Sequence, residues 1–252
     1  PDTRLIAVVH GSNVTGTIQP IREIGKIARE AGIPFLVDAA QTAGHVPLDV
    51  QADCVDLLAF PGHKGLLGPL GTGALYIRPG LEKKLRTVRE GGTGTLSEQP
   101  VQPDFMPDKF EAGSHNAIGI AGLSAGVGWI LKKTVAALWA HDQNLCKTFM
   151  EALGGVEGLR FFGSQGIKDR MGVFSLQIAG MEPLELAHQL EKEFGILTRA
   201  GLHCAPLAHR RLGTVDTGGT TRVSFGPFLE LPDVQFVADA LASIALRKFV
   251  TV

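Results

Sequence analysis

The sequence predicts an α/β protein with a large domain built on a mostly parallel sheet, followed by a smaller α+β C-terminal domain. Three observations carry that prediction. Short apolar runs alternate with amphipathic segments through the first half, which is the rhythm of parallel strands joined by crossover helices. Beyond Leu159 the order changes to strand, strand, helix, strand, strand, helix. A chain of 252 residues with 44% hydrophobic and 19% charged side chains is also long and apolar enough to bury the cores of one or two globular domains. The division is placed after Leu153, giving domains over residues 1–153 and 154–252.

The elements follow in chain order. Strands are read at residues 5–9, 34–37, 55–60 and 73–77, with a helix over 21–31 between the first two. Residues 91–116 are rich in Gly, Pro, Thr and Gln, without periodicity, and read as a long loop of the kind that is usually functional or disordered. Two consecutive helices are expected over 117–133 and 136–153, the second with Cys146 on a packed face. The apolar run 119–131 is shorter than the roughly 20 residues a bilayer span needs, so it reads as a buried helix. The second domain is read as a strand from Leu159, a strand over 173–178, a helix over 183–194, a strand over 196–199, a loop, a strand over 221–224 and a helix over 232–249. No internal repeat or low-complexity tract is present.

A net charge of −1 gives no electrostatic reason to expect a nucleic acid or a charged membrane as partner. The three cysteines, Cys54, Cys146 and Cys204, are odd in number and lack Cys-x-x-Cys spacing. Neither a disulfide framework nor a metal site is indicated, and a reduced, cytoplasmic setting is expected. No signal-peptide pattern opens the chain. It starts at Pro1 without a methionine and runs almost at once into a strand, so it reads as a processed chain or part of a longer one.

Candidate chemistry lies where strands end. In open α/β sheets ligands collect at the carboxyl ends of the strands, and Asn13, Asp38 and Lys64 all lie at or just past such ends. Lys64 sits in Phe60-Pro61-Gly62-His63-Lys64-Gly65, where an apolar strand breaks into glycines. An amine held there partly out of water can lose its charge and attack a carbonyl, the first requirement for Schiff-base chemistry. Asp38 closes the strand at 34–37 and is the carboxylate that a pyridinium nitrogen needs to keep its proton. An amine and a carboxylate at neighbouring strand ends point to pyridoxal phosphate. A lone lysine in a glycine turn is otherwise most often a solvated surface residue. The run Gly91-Gly92-Thr93-Gly94-Thr95 is either a phosphate cradle or a flexible loop.

Four separated motifs then converge on one family. Val37-Asp38-Ala39-Ala40-Gln41-Thr42-Ala43-Gly44, Gly62-His63-Lys64, Phe110-Glu111-Ala112-Gly113-Ser114-His115-Asn116 and Arg199-Ala200-Gly201-Leu202-His203-Cys204-Ala205-Pro206 resemble, in order, the cysteine desulfurases of the class V aminotransferase family. The resemblance implies a pyridoxal-phosphate enzyme of fold type I. It implies Lys64 as the Schiff-base lysine, Asp38 as partner of the pyridine nitrogen and Gln41 as donor to the ring's phenolic oxygen. His63 corresponds to a phosphate or ring-side contact. Asn13 corresponds to the asparagine that touches the ring oxygen and the substrate carboxylate. Ser114 matches a hydroxyl that reaches the phosphate of a neighbouring subunit, which implies a homodimer. Arg222 matches the arginine that grips the substrate carboxylate, a task suited to a planar fork. Cys204 matches the nucleophile that takes sulfur from cysteine, becomes a persulfide and passes the sulfur to an acceptor protein.

Two departures from the family pattern stand out. Pro61 replaces the usual Ser or Thr three residues before the lysine, so one hydroxyl and one backbone N–H are lost to the phosphate. The stretch that family members carry ahead of the first strand does not precede Leu5 here. Considered alone, Cys204 could be a small buried hydrophobe. Its neighbours Arg199, His203, His209, Arg210 and Arg211 instead suggest basic surroundings of the kind that favour a thiolate. Cys54 and Cys146 lack such company and are assigned to packing. Arg199 is either support for the Cys204 loop or a substrate contact, and Arg210 and Arg211 read as a solvated charged face. The alternatives are a selenocysteine lyase or an aminotransferase on the same scaffold, or a non-catalytic fragment acting as a dimerisation partner.

Overall fold

The structure is a computed structural model that describes residues 2–250. It divides into two compact units. The first comprises residues 2–10 and 20–133, the second residues 11–19 and 134–250.

In the first unit, strands β1 (Ile6–Val9), β2 (Phe35–Asp38), β3 (Leu57–Pro61) and β4 (Gly73–Ile77) form one sheet in that order. The first three run parallel and β4 is antiparallel to β3. The connection from β1 to β2 runs through helix α1 (Ile21–Glu30), which buries Ile21, Gly25 and Ala28. Gly25 is required there because a Cβ would lie 2.1 Å from the Asp53 carbonyl oxygen. Phe35, Val37, Ala39, Val55 and Leu58 complete this core with Ile21 and Ala28, which is why the strands read as nearly continuous apolar runs. Helix α2 (Ala117–Lys133) closes the unit, its first turn capped by Asn116 Oδ1, which accepts the Gly119 N–H at 3.0 Å.

The second unit holds helix α3 (Val135–Leu153), strands β5 (Leu159–Phe161) and β6 (Val173–Ile178), helix α4 (Pro183–Phe194), strand β7 (Arg199–Gly201), helix α5 (Pro206–Leu212), strand β8 (Thr220–Ser224) and helix α6 (Leu231–Val250). Its antiparallel sheet has the order β5-β6-β8-β7. Leu145, Cys146 and Phe149 of α3 pack with Phe174 and Leu176 of β6 and Leu241 and Ile244 of α6. Phe149 is the centre of this core, its ring 4.8 Å from Phe174 and 5.1 Å from Phe225. The segment 11–19 is stitched to this unit by Ser175 Oγ donating to the Val14 carbonyl at 2.6 Å and by Met171 N–H donating to the Gly16 carbonyl at 2.9 Å.

The α/β class and most elements fall where the sequence places them, and three differ. The strand read at 196–199 begins at Arg199, because Gly195 takes a left-handed cap and Ile196 N–H turns back to the Leu190 carbonyl, extending the end of α4 instead. The loop after it contains the seven-residue α5. Helix α2 is buried only along one stripe, with Ile118, Ile120 and Leu131 exposed. The contacts also group α3 with the C-terminal unit, whereas the sequence reading divides the chain after Leu153. No helix among the described residues is long and apolar enough to cross a membrane.

Candidate active site

In the first unit two strand ends are clamped together. Asp38 is the last residue of β2, and its Oδ1 accepts the Ala40 N–H at 2.8 Å, an Asx turn that starts the helical turn over 39–43. Behind that turn, buried Thr42 lies 2.9 Å from His10 Nδ1 through its hydroxyl. Burial pushes the His10 imidazole down to about 4, so at neutral pH it acts as an uncharged strut. Gln41 is half-buried on the same turn.

Strand β3 lies beside β2 with Ala59 opposite Asp38, and Lys64 follows three residues after the strand ends at Pro61. The Lys64 loop is closed by Leu67 N–H to the Lys64 carbonyl at 2.9 Å and Gly68 N–H to the Gly62 carbonyl at 2.8 Å. Its backbone presses directly on the Asp38 turn: a Cβ on Gly65 would lie 2.4 Å from the Ala43 carbonyl oxygen, and one on Gly44 2.6 Å from the Gly65 carbonyl oxygen. Gly44 also has φ +93°, a conformation open to glycine. On the other side α2 seats the loop, since a Cβ on Gly126 would lie 2.4 Å from the Leu66 carbonyl oxygen. The clamp thus works through glycines and leaves the His63 and Lys64 side chains exposed. This corrects the reading of Lys64 as partly withdrawn from water. Ser114 is exposed in the loop before α2.

The second unit gathers Asn13, Arg199, His203, Cys204 and Arg222. Cys204 is exposed, and Arg199 Nη2 lies 3.1 Å from its Sγ. Both His203 and Cys204 have positive φ, 50° and 59°, which non-glycine residues adopt at a cost and which is concentrated at functional loops. The loop is held by Asn13 Nδ2, which donates to the His203 carbonyl at 2.7 Å, and Arg222 Nη1 donates to the Asn13 carbonyl at 3.0 Å. Arg199 and Arg222 are direct cross-strand partners on β7 and β8. Like charges so placed are unfavourable unless an anion lies with them. Arg222 Nε is moreover buried with no hydrogen-bond partner among the described residues, an orphan donor suited to a carboxylate.

The histidines do not supply the positive surroundings that the sequence suggests. His203 is 2% exposed and His209 is fully buried, with ring centroids 5.2 Å apart. Burial first, then Arg222, His209 and Arg199, push His203 down to about 4, and burial lowers His209 as well. The basic character at Cys204 therefore comes from the arginines. Thr220, which lies 2.9 Å from His203 Nε2 through its hydroxyl, and Thr214, 2.8 Å from His209 Nδ1, are loop-fixing residues that the sequence reading missed. The only local signal was that Thr220 opens a β-branched strand. Cys54 and Cys146 are buried, as expected of packing residues.

Pyridoxal phosphate can be tested against this donor set. An exposed amine at Lys64 and a half-buried carboxylate at Asp38, on loops fixed against each other by Gly44 and Gly65, fit an aldehyde and a pyridine nitrogen. Gln41 and His63 offer polar side chains on the same two loops. The ring end of the cofactor is matched, while Pro61 contributes no donor to the phosphate.

Comparison with known proteins agrees. The family described as aminotransferase class-V matches residues 1–237. A "probable cysteine desulfurase" of Methanothermobacter thermautotrophicus is 36% identical over 96% of this chain, and one of Pyrococcus abyssi is 35% identical over 92%. The chain spans 61% and 57% of the length of these relatives. Among solved structures, the apo cysteine desulfurase from Thermococcus onnurineus NA1 superposes with a TM-score of 0.88 at 34% identity, covering 96% of this chain and 60% of that one. The cysteine desulfurase CsdA (S-sulfonic acid) from Escherichia coli gives 0.83 at 32% identity, covering 97% and 59%.

Proposed function

This chain belongs to the class-V aminotransferase family, a family of pyridoxal-phosphate enzymes, and we propose that it works as a cysteine desulfurase. One observation carries the reading: an exposed thiol, Cys204, on a strained loop with the Arg199 guanidinium 3.1 Å from its sulfur. An ordinary aminotransferase has no use for that thiol. When bound, pyridoxal phosphate supplies an electron sink for the pair left at the substrate Cα.

The chain's own residues divide the remaining work. Lys64 anchors the cofactor aldehyde and, once free, serves as general base for the Cα proton. Asp38 holds the proton on the pyridine nitrogen, with Gln41 and His63 beside the ring. Asn13 and Arg222 take the substrate carboxylate, which meets the orphan Nε of Arg222. Cys204 accepts the sulfur: the substrate Cβ–S bond breaks, an S–S bond forms at Cys204, and a proton is delivered to carbon. Cysteine and one thiol give alanine and one persulfide, with no external oxidant. Ser114 reaches the phosphate of a second copy, so the working unit is a homodimer. Three unpaired thiols suit a reducing, cytoplasmic setting.

The test uses protein supplied with the cofactor and cysteine. Lys64→Ala should lose covalent cofactor retention after borohydride reduction, read by mass. Cys204→Ser should keep that retention but release no alanine and carry no persulfide. Alanine release by Cys204→Ser at the parent rate would overturn the assignment.

A further inference from the structure

Cys204 stands at one end of a basic surface that its own chemistry leaves unexplained. Residues 195–215 include Arg199, Arg210 and Arg211 but no Asp or Glu, and their two histidines are buried and uncharged at neutral pH. Helix α5 starts two residues after Cys204 and carries Arg210 and Arg211 in its last turn. At about 1.5 Å of rise per residue, Arg210 and Arg211 sit only about 6–7.5 Å along the helix from its first residue. Arg211 also lines an open cleft of about 740 Å³ together with Arg160, Phe162 and Gln165, and none of the residues lining that cleft is acidic. Arg160 is held over the Phe162 ring at 4.7 Å, which fixes its charge at the cleft instead of letting it sweep through solvent. None of Arg160, Arg199, Arg210 and Arg211 is in an ion pair among the described residues.

A run of unpaired arginines from a reactive thiol to a cleft at the far end of a helix is longer than a small anion can cover, and it matches a protein footprint. We propose that this surface docks an acidic protein face bearing the thiol that removes sulfur from Cys204. The proposal rests on the desulfurase reading for the origin of that sulfur. In the transfer, the acceptor thiolate attacks the outer sulfur of the persulfide. A new S–S bond forms on the acceptor, the bond to Cys204 breaks, and its electron pair leaves Cys204 as a thiolate. Opposite charge raises the encounter rate and aligns the two sulfurs, an effect that salt screens.

The test needs neither cofactor nor turnover, so it stands or falls apart from the alanine assay above. Two peptides carry one cysteine as its pyridyl disulfide, flanked by glutamates in one and lysines in the other. Release of thiopyridone reports attack by Cys204, because Cys54 and Cys146 are buried. At low salt the acidic peptide should react about tenfold faster than the basic one, and about 0.5 M salt should erase the difference. Arg210→Glu/Arg211→Glu should reverse the preference, and Arg160→Glu, on a separate strand, should reduce it severalfold. Equal rates for the two peptides, or a preference unchanged in both variants, would overturn the proposal. So would a small dianionic disulfide showing the whole effect, since that would mark a pocket for small anions.

Discussion

Arg199 and Arg222 face each other across β7 and β8 as direct register partners, two guanidiniums with a thiol beside one and an orphan donor on the other. Burial first, and then the charge of Arg199, lower the Arg222 pKa. A sheet that places like charges opposite each other is arranged for something that neutralises them.

Replacing the fork should therefore separate binding from stability. Arg222→Lys keeps the charge but loses bidentate geometry, so the KM for cysteine should rise about 10- to 100-fold, equivalent to about 1.4–2.7 kcal/mol. The melting temperature should fall by a few degrees at most, because the charge opposite Arg199 is kept and only the Nη1 hydrogen bond to the Asn13 carbonyl is lost. An unchanged KM would remove Arg222 from the substrate carboxylate.

Gly65 tests the clamp on the Lys64 loop. A Cβ there would stand 2.4 Å from the Ala43 carbonyl oxygen and 2.8 Å from His45 Nδ1, and the first of these is backbone that cannot swing aside. Gly65→Ala should cost about 1–3 kcal/mol by forcing the Lys64 loop away from the Asp38 turn. Cofactor retention should weaken along with it. Gly32→Ala gives a control, with open space around its Cβ and strain only from φ +65°. Equal losses in the two variants would mean that the close approach of the loops is unimportant.

The strand ends were legible because their signal is local. An apolar run that stops at Asp38 or breaks into glycines before Lys64 announces its boundary in a few residues, and the structure puts those boundaries at Asp38 and Pro61. Long-range partnerships were not legible in this way. The hydrogen bond from Asn13 to the His203 carbonyl joins residues 190 apart in sequence, and nothing near Asn13 announces it. Helix α5 was hidden because its seven residues include His209, Arg210 and Arg211, which read as a charged loop. Burial then reversed the meaning of the histidines, since a buried imidazole is a neutral packing group. Helix α2 misled in the other sense: an apolar sequence reads as buried, yet only the stripe that includes Gly119, Gly122 and Gly126 meets the rest of its unit.

Asp142 is a buried carboxylate outside the candidate site. Both its oxygens accept the Gly172 N–H, at 3.2 and 3.1 Å, and Cys146 Sγ lies 3.7 Å from Oδ2. Burial outweighs these bonds and raises its pKa to about 6. A raised carboxyl pKa means that the folded protein takes up the proton before the unfolded chain does. The ionised group therefore weakens the fold fully above about pH 6, and stability recovers as pH falls toward about 4. Asp142→Asn keeps an acceptor for Gly172 and removes the charge. It should be neutral or stabilising by about 1 kcal/mol near neutral pH, with that advantage vanishing in acid. Denaturant unfolding at both pH values checks this, and a large loss at neutral pH would show that the negative charge itself is needed.

His203 carries the opposite sign. Its ring is buried against His209, with Nε2 on the Thr220 hydroxyl and with Arg222 and Arg199 as the charged neighbours that disfavour its protonation. The folded value of about 4 lies below the ordinary 6.5, so on acidification the unfolded chain binds the proton first. The His203 contribution is thus intact above about pH 6.5, declines as pH falls through the interval, and is fully lost below about pH 4. The loss falls on the loop that places Cys204, because the His203 carbonyl is also the anchor for Asn13. His203→Gln keeps a side-chain nitrogen within reach of Thr220 but cannot titrate. Its stability should fall less steeply than the parent's between about pH 6.5 and 4, although buried His10, also lowered to about 4, leaves part of the slope in place. Thiol exchange at Cys204, measured near neutral pH where both proteins hold an uncharged side chain at 203, should differ by less than about threefold. A variant as acid-sensitive as the parent would show that His203 is not held neutral by burial. A variant with slow exchange at neutral pH would show that the imidazole, beyond its hydrogen bond to Thr220, shapes the thiol loop.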